Sequence, residues 1–445
     1  MNIQDQPAVK RFLARAESKP GVPPVLDANW VKQVVLEAGA DDAGLASIDS
    51  PRLEPYRKKI CRLFPQTKTI VSVVCRMNPL NIRSSYRQQY ELEYHHMFAE
   101  ADHVARRAAR SFWKAGLEAM DVCASYPMNM EHWPDEGMWW VAHKPVAEAA
   151  GMGIMGLNRL LAHPRFGASI SLASILLDHP ATEYGEPVTY DPCVHCMLCV
   201  IACPVGAIHA DGHFTSIACC THSYRAKYGG FTSFIENVVK ARSVLDFRRR
   251  VTDQEAVLMW QALAMGTSYQ CTNCMAVCPS GDERLGEYVE DAKAYRTAVA
   301  ERLMARKETI YVVRGSDADE YVRKKFPHKR LKYVSNGVRP GSCQAFLDNI
   351  HIMFQREQSK GLSATYHFTF TGEEQVQGTV RIHDRRIESL PGHQGTPDVR
   401  VTADARTWLS IVRKERSTLI PMLTGRLKIE GSRALMKAFQ RCFPA

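Results

Sequence analysis

Residues 193–204 read CVHCMLCVIACP, and residues 271–279 read CTNCMAVCP. The first stretch spaces its cysteines as C-x2-C-x2-C-x3-C and ends on proline, a run that holds 4Fe–4S clusters. Each two-residue gap lets a short loop wrap one cube, so Cys193, Cys196 and Cys199 serve a single cluster. Cys203 opens a helix that points elsewhere and serves another, with Pro204 tolerated in the first helical turn. The second stretch widens its last gap and supplies Cys271, Cys274 and Cys278, one ligand short of a full run. The missing ligand has to come from between the groups, where only Cys219 and Cys220 lie. One cluster is therefore assigned Cys193, Cys196, Cys199 and Cys278. The other takes Cys203, Cys271, Cys274 and Cys219, with Cys220 as the alternative to Cys219. Structural zinc knuckles use the same C-x2-C pieces, but zinc requires neither an exchange of ligands nor two C-P endings.

Nine of the 14 cysteines fall between Cys193 and Cys278, which points to metal rather than disulfides in a reducing compartment. Cys61, Cys75, Cys123, Cys343 and Cys442 stand apart and read as buried thiols. A chain of 445 residues exceeds one ordinary core, so two or three domains are expected. Its apolar runs are too short to span a bilayer, and no secretory signal opens the chain, so it reads as cytoplasmic with no membrane span. The net charge of +10 is dispersed. The densest basic runs, at 248–250 and 322–330, read as solvated helix faces or a docking surface for an acidic electron donor, with no nucleic acid expected.

Upstream of the cysteines lie ADDAGLASID (40–49), TIVSVVCRMNP (69–79), YELEYHHMFAEADHVARRA (90–108) and PVAEAAGMGIMGLNRLLAHPRFGASISLASILLD (145–178). In that order, followed by the cluster segment, they resemble the epoxyqueuosine reductases, cobalamin-dependent relatives of the reductive dehalogenases. The resemblance covers roughly residues 28–290. It implies a nitroreductase-like corrinoid-binding domain over 28–190, behind an N-terminal extension over 1–27. It also implies a bacterial ferredoxin-like two-cluster domain over 191–295, here with a helical insertion at 230–266. The cofactors implied are two 4Fe–4S clusters and base-off cobalamin without a histidine below cobalt. Gly151, Gly153 and Gly156 would lie against the corrin ring, where absent side chains allow close approach. Asn158, Arg159 and Ser169 would make polar contacts with it. The same glycines spell G-x-G-x-x-G, but PVAEAA before them reads as helix, so the dinucleotide reading lacks its strand.

One departure bears on the chemistry. The reductases carry a proton-donating aspartate three residues before the proline matched by Pro145, and Ala142 stands there instead. A proton would have to come from His143, Lys144, Tyr94 or His96, which makes epoxyqueuosine itself an unexpected substrate. The insertion 230–266 would either cap the active-site mouth or elaborate the packing.

After a charged linker over 296–342, the pattern changes. SATYHFTFTG, VQGTVRIHDRRIESL and PDVRVTAD alternate as half-buried strands, and TGRLKIEGS (424–432) leads into a last helix. Residues 343–445 resemble the sterol carrier protein domain, an α/β unit whose apolar tunnel either holds a hydrophobic ligand or is filled by its own side chains. The whole is an α+β multidomain chain. Electrons from an external donor (a ferredoxin, flavodoxin or reductase) would pass to the Cys203 cluster, then the Cys193 cluster, then cobalt. A small organic substrate, hydrophobic if the tunnel presents it, would lose halide, hydroxyl or epoxide oxygen. The alternative is a corrinoid-reducing or electron-transfer protein with no organic substrate.

Overall fold

A computed structural model describes residues 3–16, 22–129, 139–227, 229–266 and 269–444. Near the N-terminus, four antiparallel strands form one sheet in the order Asp42–Ser47, Thr69–Arg76, Ile170–Leu177, Ala119–Val122. The central two, TIVSVVCR and ISLASILL, are buried on both faces and so read as nearly continuous apolar runs. Val71, Val73 and Cys75 turn one way, against the helix Arg87–Lys114. That helix can lie close because it offers Ala101, Ala105, Ala108 and Ala109. Ile70 and Leu176 turn the other way, against Ile60, Val146 and Ala149. The sheet is thus a middle layer between helices.

The cysteine segment packs onto this unit backbone to backbone. A Cβ on Gly167, whose φ is +64°, would stand 1.9 Å from the Ser280 carbonyl oxygen. One on Gly281, at φ +92°, would stand 2.3 Å from the Gly167 nitrogen. Only glycine permits either the backbone angle or the approach. The amides of Asp282 and Glu283 donate to the carbonyls of Pro164 and Arg165 at 2.9 and 3.2 Å. Glu283 takes Arg165 and Arg76 as ion-pair partners, and buried Arg284 donates to the Ser169 hydroxyl at 2.6 Å.

Residues 296–342, expected as a linker, contain a folded unit instead. Thr309–Val312 and Arg330–Tyr333 pair in parallel, joined by the helix Asp317–Lys325. Ser316 caps that helix through its side chain, and Ile310, Val312, Val322 and Phe326 join the core around the cysteines. Of the charges that made this stretch look like a linker, Glu320, Arg323 and Lys324 are exposed on that helix, whereas Asp319 is buried. The insertion forms three helices, Gly229–Lys240, Val244–Arg250 and Asp253–Ala264. Leu258 and Met259 bury against Tyr90 and Tyr269.

At the C-terminus a five-stranded sheet runs in the order Arg386–Pro391, Val376–His383, Ala364–Thr371, Val399–Asp404, Leu427–Gly431. Ala364–Thr371 and Val399–Asp404 pair in parallel, and the rest are antiparallel. Cys343–Met353, Ala405–Val412 and Arg433–Arg441 cover the inner face. Phe346, Phe368, Phe370 and Trp408 pack together between sheet and helices with centroids 5.3–6.2 Å apart, four pairs edge to face, Phe368–Phe370 stacked and Phe370–Trp408 tilted. Their rings occupy the space between that sheet and its helices.

Candidate redox site and adjoining cleft

The chain folds its cysteines into two groups. Cys193, Cys196, Cys199 and Cys278 line one pocket, together with Gly156, Leu157, Asn158 and Ala162. Cys203, Cys219, Cys271 and Cys274 form the second group, close enough that the charge of each bears on its neighbours. Cys220, next in the chain, bears electrostatically on Cys219 and, with it, on Lys144. The adjacent cysteines share the helix Ser216–Ser223, where successive side chains point about 100° apart, so only one can face the group.

The local backbone is arranged for negative sulfur. Met197 enters the helix Leu198–Ala202 in the left-handed region, at φ 60°, and His195 is left-handed too, at φ 47°. Such turns aim amide N–H groups inward. The Ala207 amide lies 3.3 Å from Cys203 Sγ, and the Ser280 hydroxyl lies 3.0 Å from Cys278 Sγ. Among the described residues, no three metal-binding side chains converge on a point where one ion would sit. Four thiols around a cavity with N–H donors behind them suit a multi-iron cluster, whose irons each take one thiolate. They do not suit a single zinc ion.

The residues expected to meet a corrin ring are occupied otherwise. A Cβ on Gly151 would meet the Glu186 carbonyl oxygen at 2.4 Å, and one on Gly153 the Ala162 carbonyl oxygen at 2.3 Å. Those glycines are required by the chain's own backbone. Gly156 faces Cys193, 3.6 Å from where its Cβ would stand. Asn158 donates to the Cys274 carbonyl at 3.4 Å and accepts from the Leu160 amide. Arg159 reaches the Gly212 carbonyl, and Ser169 accepts from Arg284. This set does not form an open cradle for cobalamin.

The four proton-donor candidates separate clearly. His143 is enclosed: Nδ1 lies 2.8 Å from Ser174 Oγ and Nε2 lies 2.9 Å from the Cys123 carbonyl. Burial lowers its pKa and both ring nitrogens are engaged, so it serves the fold. His96 packs beside His95 at 5.7 Å. Lys144 and Tyr94 instead each lie close enough to Cys219 and Cys274 to feel their charge. Lys144 Nζ donates to the Arg159 carbonyl at 2.5 Å. Its pKa is lowered by burial, against the pull of Cys219 and Cys274. Burial raises the Tyr94 phenol, with Cys219, Tyr126 and Cys274 adding to the effect, and Tyr224 bonds to it.

Sequence reasoning missed the rest of this cleft. Tyr126, Tyr224 and Lys227 join Tyr94 and Lys144 there. Lys227 Nζ rides 4.0 Å above the Tyr126 ring, and burial lowers its pKa to about 8. The Tyr126 hydroxyl and the buried Gln270 carboxamide oxygen lie near each other without a hydrogen bond of ordinary geometry. Tyr94, Lys144, Tyr224 and Lys227 each keep part of their surface exposed, as the walls of a cleft do. A clue lay in the sequence: Tyr224 and Lys227 follow directly on the helix that carries Cys219.

Residues 186–209 match the 4Fe-4S binding domain, and residues 353–444 match the SCP-2 sterol transfer family. The chain binds 4Fe–4S iron and ends in a sterol-carrier-like domain. Epoxyqueuosine reductase of Vibrio cholerae is 22% identical over 287 residues, 57% of this chain and 66% of that protein. The chain therefore spans just under two thirds of that relative's length. A solved epoxyqueuosine reductase with a tRNA-Tyr epoxyqueuosine-modified stem loop is 18% identical, with a TM-score of 0.35, covering 57% of this chain and 65% of that one. A B12-dependent reductive dehalogenase structure is 16% identical, with a TM-score of 0.39, covering 64% of this chain and 37% of that one. Among the described residues, no helix is long and apolar enough to cross a membrane.

Proposed function

We propose that this chain is an iron–sulfur reductase that holds two 4Fe–4S clusters and delivers electrons to an organic substrate, removing a leaving group such as halide, hydroxyl or epoxide oxygen. The observation that carries this reading is the meeting of a four-cysteine group with a cleft of phenols and ammonium groups. A reductive displacement needs electrons and a proton at one place, and that wall can supply both. Tyr94, Tyr224, Lys144 and Lys227 take the part of the missing aspartate. Base-off cobalamin is the acceptor that the sequence resemblance implies. The cleft, rather than the Gly151–Gly156 turn, has the open polar wall to receive it. The reductase reading is favoured over pure electron transfer because a protein that only relayed electrons would have no use for this set of acids.

Anaerobic reconstitution should give about eight irons per chain. Cys219→Ser should lose one cluster, and Cys220→Ser should retain both. The reduced protein, with and without added cob(II)alamin, should then be offered small organohalides and epoxides, with the dehalogenated or deoxygenated product read by mass spectrometry. A protein with full iron content that turns over none of them, and instead binds a tRNA stem loop, would overturn the small-substrate reading.

A further inference from the structure

The helical insertion has an inner face that the fold explains and an outer face that it does not. Inside, Phe231, Phe234, Leu258 and Met259 pack with Tyr90 and Tyr269. Outside, Val239 is 78% exposed, Leu245 69%, Trp260 59% and Leu263 70%, and Val244 and Met265 are exposed as well. Helical spacing gathers such residues: Ile235, Val238 and Val239 share one side of Gly229–Lys240, and Val257, Trp260 and Ala264 share one side of Asp253–Ala264. Single apolar residues scattered over a surface are ordinary, but a run across three consecutive helices marks a binding face. The acids here are neutralised locally. Glu236 pairs with Lys240 and Arg339, Asp246 with Arg250, and buried Glu255 with Lys332. Asp253 stands in the first turn of its helix, whose N-terminus offsets its charge. Arg242, Arg248 and Arg249 are exposed and, among the described residues, have no ion-pair partner.

Residues 335–341 tie a second patch of the same kind to this one. The Ser335 amide donates to the Ser233 hydroxyl, Arg339 pairs with Glu236, and the next residue, Pro340, accepts from Arg413. Just beyond Arg413 comes the helix Leu419–Leu423, where Leu423 is 86% exposed and Leu419, Ile420 and Met422 are exposed too. Arg416 and Arg426 flank it, and Glu415 is the one acid between Arg413 and Arg426.

We propose that the outer face of the insertion docks on an anionic phospholipid bilayer. Val239, Leu245, Trp260 and Leu263 enter the headgroup boundary, Arg242, Arg248 and Arg249 meet the lipid phosphates, and Leu419–Leu423 makes a second contact. The chemistry of the face selects this occupant. A second copy of the chain would bring another set of the same unpaired arginines to the interface. RNA would suit the arginines and leave Val239, Leu245 and Leu263 without apolar cover. A fluid bilayer accepts side chains that project from three helices without any matching shape, and its anionic headgroups answer the arginines. Tryptophan favours the depth where headgroups meet acyl chains. The chain would thus lie on a membrane without crossing it.

The test uses the full, reconstituted chain and phosphatidylcholine vesicles with or without about 30% phosphatidylglycerol, binding being read by co-sedimentation. The parent should sediment with the anionic vesicles and be released as salt screens the headgroups. Leu245→Glu combined with Leu263→Glu should weaken binding about tenfold or more. Arg248→Gln combined with Arg249→Gln should weaken it about tenfold on anionic vesicles and leave any binding to phosphatidylcholine alone unchanged. All four side chains are exposed, so iron content should stay that of the parent. A parent that remains in the supernatant, or either double variant sedimenting like the parent, would overturn the proposal. So would a parent dimer in light scattering that Leu245→Glu with Leu263→Glu dissolves, which would assign the face to a second copy. The arginine pair removes no apolar contact and keeps the test decisive if the leucine pair fails to fold. No turnover is read, so failure here leaves the reductase reading standing.

Discussion

The two sheets of this molecule use their interiors differently. The C-terminal sheet turns Phe368, Phe370 and Tyr366 inward and closes over them with Phe346, Trp408 and Phe439. The N-terminal sheet pairs Ser72 with Ser174 across its two central strands, both fully buried, and hangs His143 on the second. An aromatic interior gains area and shape, here with the buried Trp408 indole N–H left without a partner. A polar interior has to satisfy every donor and acceptor, and in return fixes orientation. His143 begins the helix His143–Ala149, and Lys144 is the next residue. The hydrogen bonds that hold the imidazole therefore also aim the ammonium at the cleft. One sheet is a packing unit; the other is a jig for a side chain.

That contrast can be broken by experiment. The largest effect should come from Phe368→Ala, which empties the middle of the aromatic cluster and should cost about 3–5 kcal/mol. Thermal unfolding should show the loss in the C-terminal unit while the visible absorbance of the clusters is retained. Loss of both together would mean that the two sheets are not separate units. Next, Gly281→Ala forces a side chain into a left-handed turn and against the Gly167 backbone, at roughly 3 kcal/mol. Here the clusters should be lost along with the fold, measured as iron released on heating.

A smaller effect is expected from Ser174→Ala, which leaves His143 Nδ1 buried without its partner, at about 1–3 kcal/mol. It should also raise the reactivity of Lys144 toward amine reagents, a change that simple destabilisation of the distant C-terminal sheet would not produce. The mildest test is acid. Burial lowers the pKa of His143 in the folded chain, so the unfolded chain binds a proton that the folded one does not. This stability is complete above the ordinary histidine value of about 6.5 and is lost as the pH falls below it. Denaturation midpoints measured at neutral and mildly acid pH should differ less in His143→Gln than in the parent.

The grouping of the cysteines was legible in the sequence for a definite reason. Cysteine spacing encodes loop length, and loop length decides which thiols can share a cube. The exchange of Cys203 and Cys278 between the groups was legible on the same grounds, and the fold brings those groups together. The strands of the C-terminal domain were legible from their alternation. Three features were not. The parallel pair Thr309–Val312 and Arg330–Tyr333 was obscured because its connecting helix DADEYVRKK is mostly charged. Gly151 and Gly153 suggested room for a ring, yet a glycine records only that something approaches, and here the chain itself does. The cleft draws Tyr94, Tyr126, Lys144 and Tyr224 from four separate segments, and no local pattern announces a wall assembled by tertiary packing.

The seam at Gly167 and Gly281 has a further consequence. Tunnelling between redox centres falls exponentially with the gap, so a hinge between the domains would turn a small rocking motion into a large fluctuation in current. Side chains at a domain boundary can slide and re-pack, whereas two main chains in direct contact, pinned by paired amide–carbonyl bonds, have almost no travel. Cys278 lies three residues from Gly281, and Lys144 is carried by the unit on the other side of the seam. The missing Cβ atoms thus act as a mechanical clamp, holding the Cys278 loop and the unit that carries Lys144 at one fixed spacing.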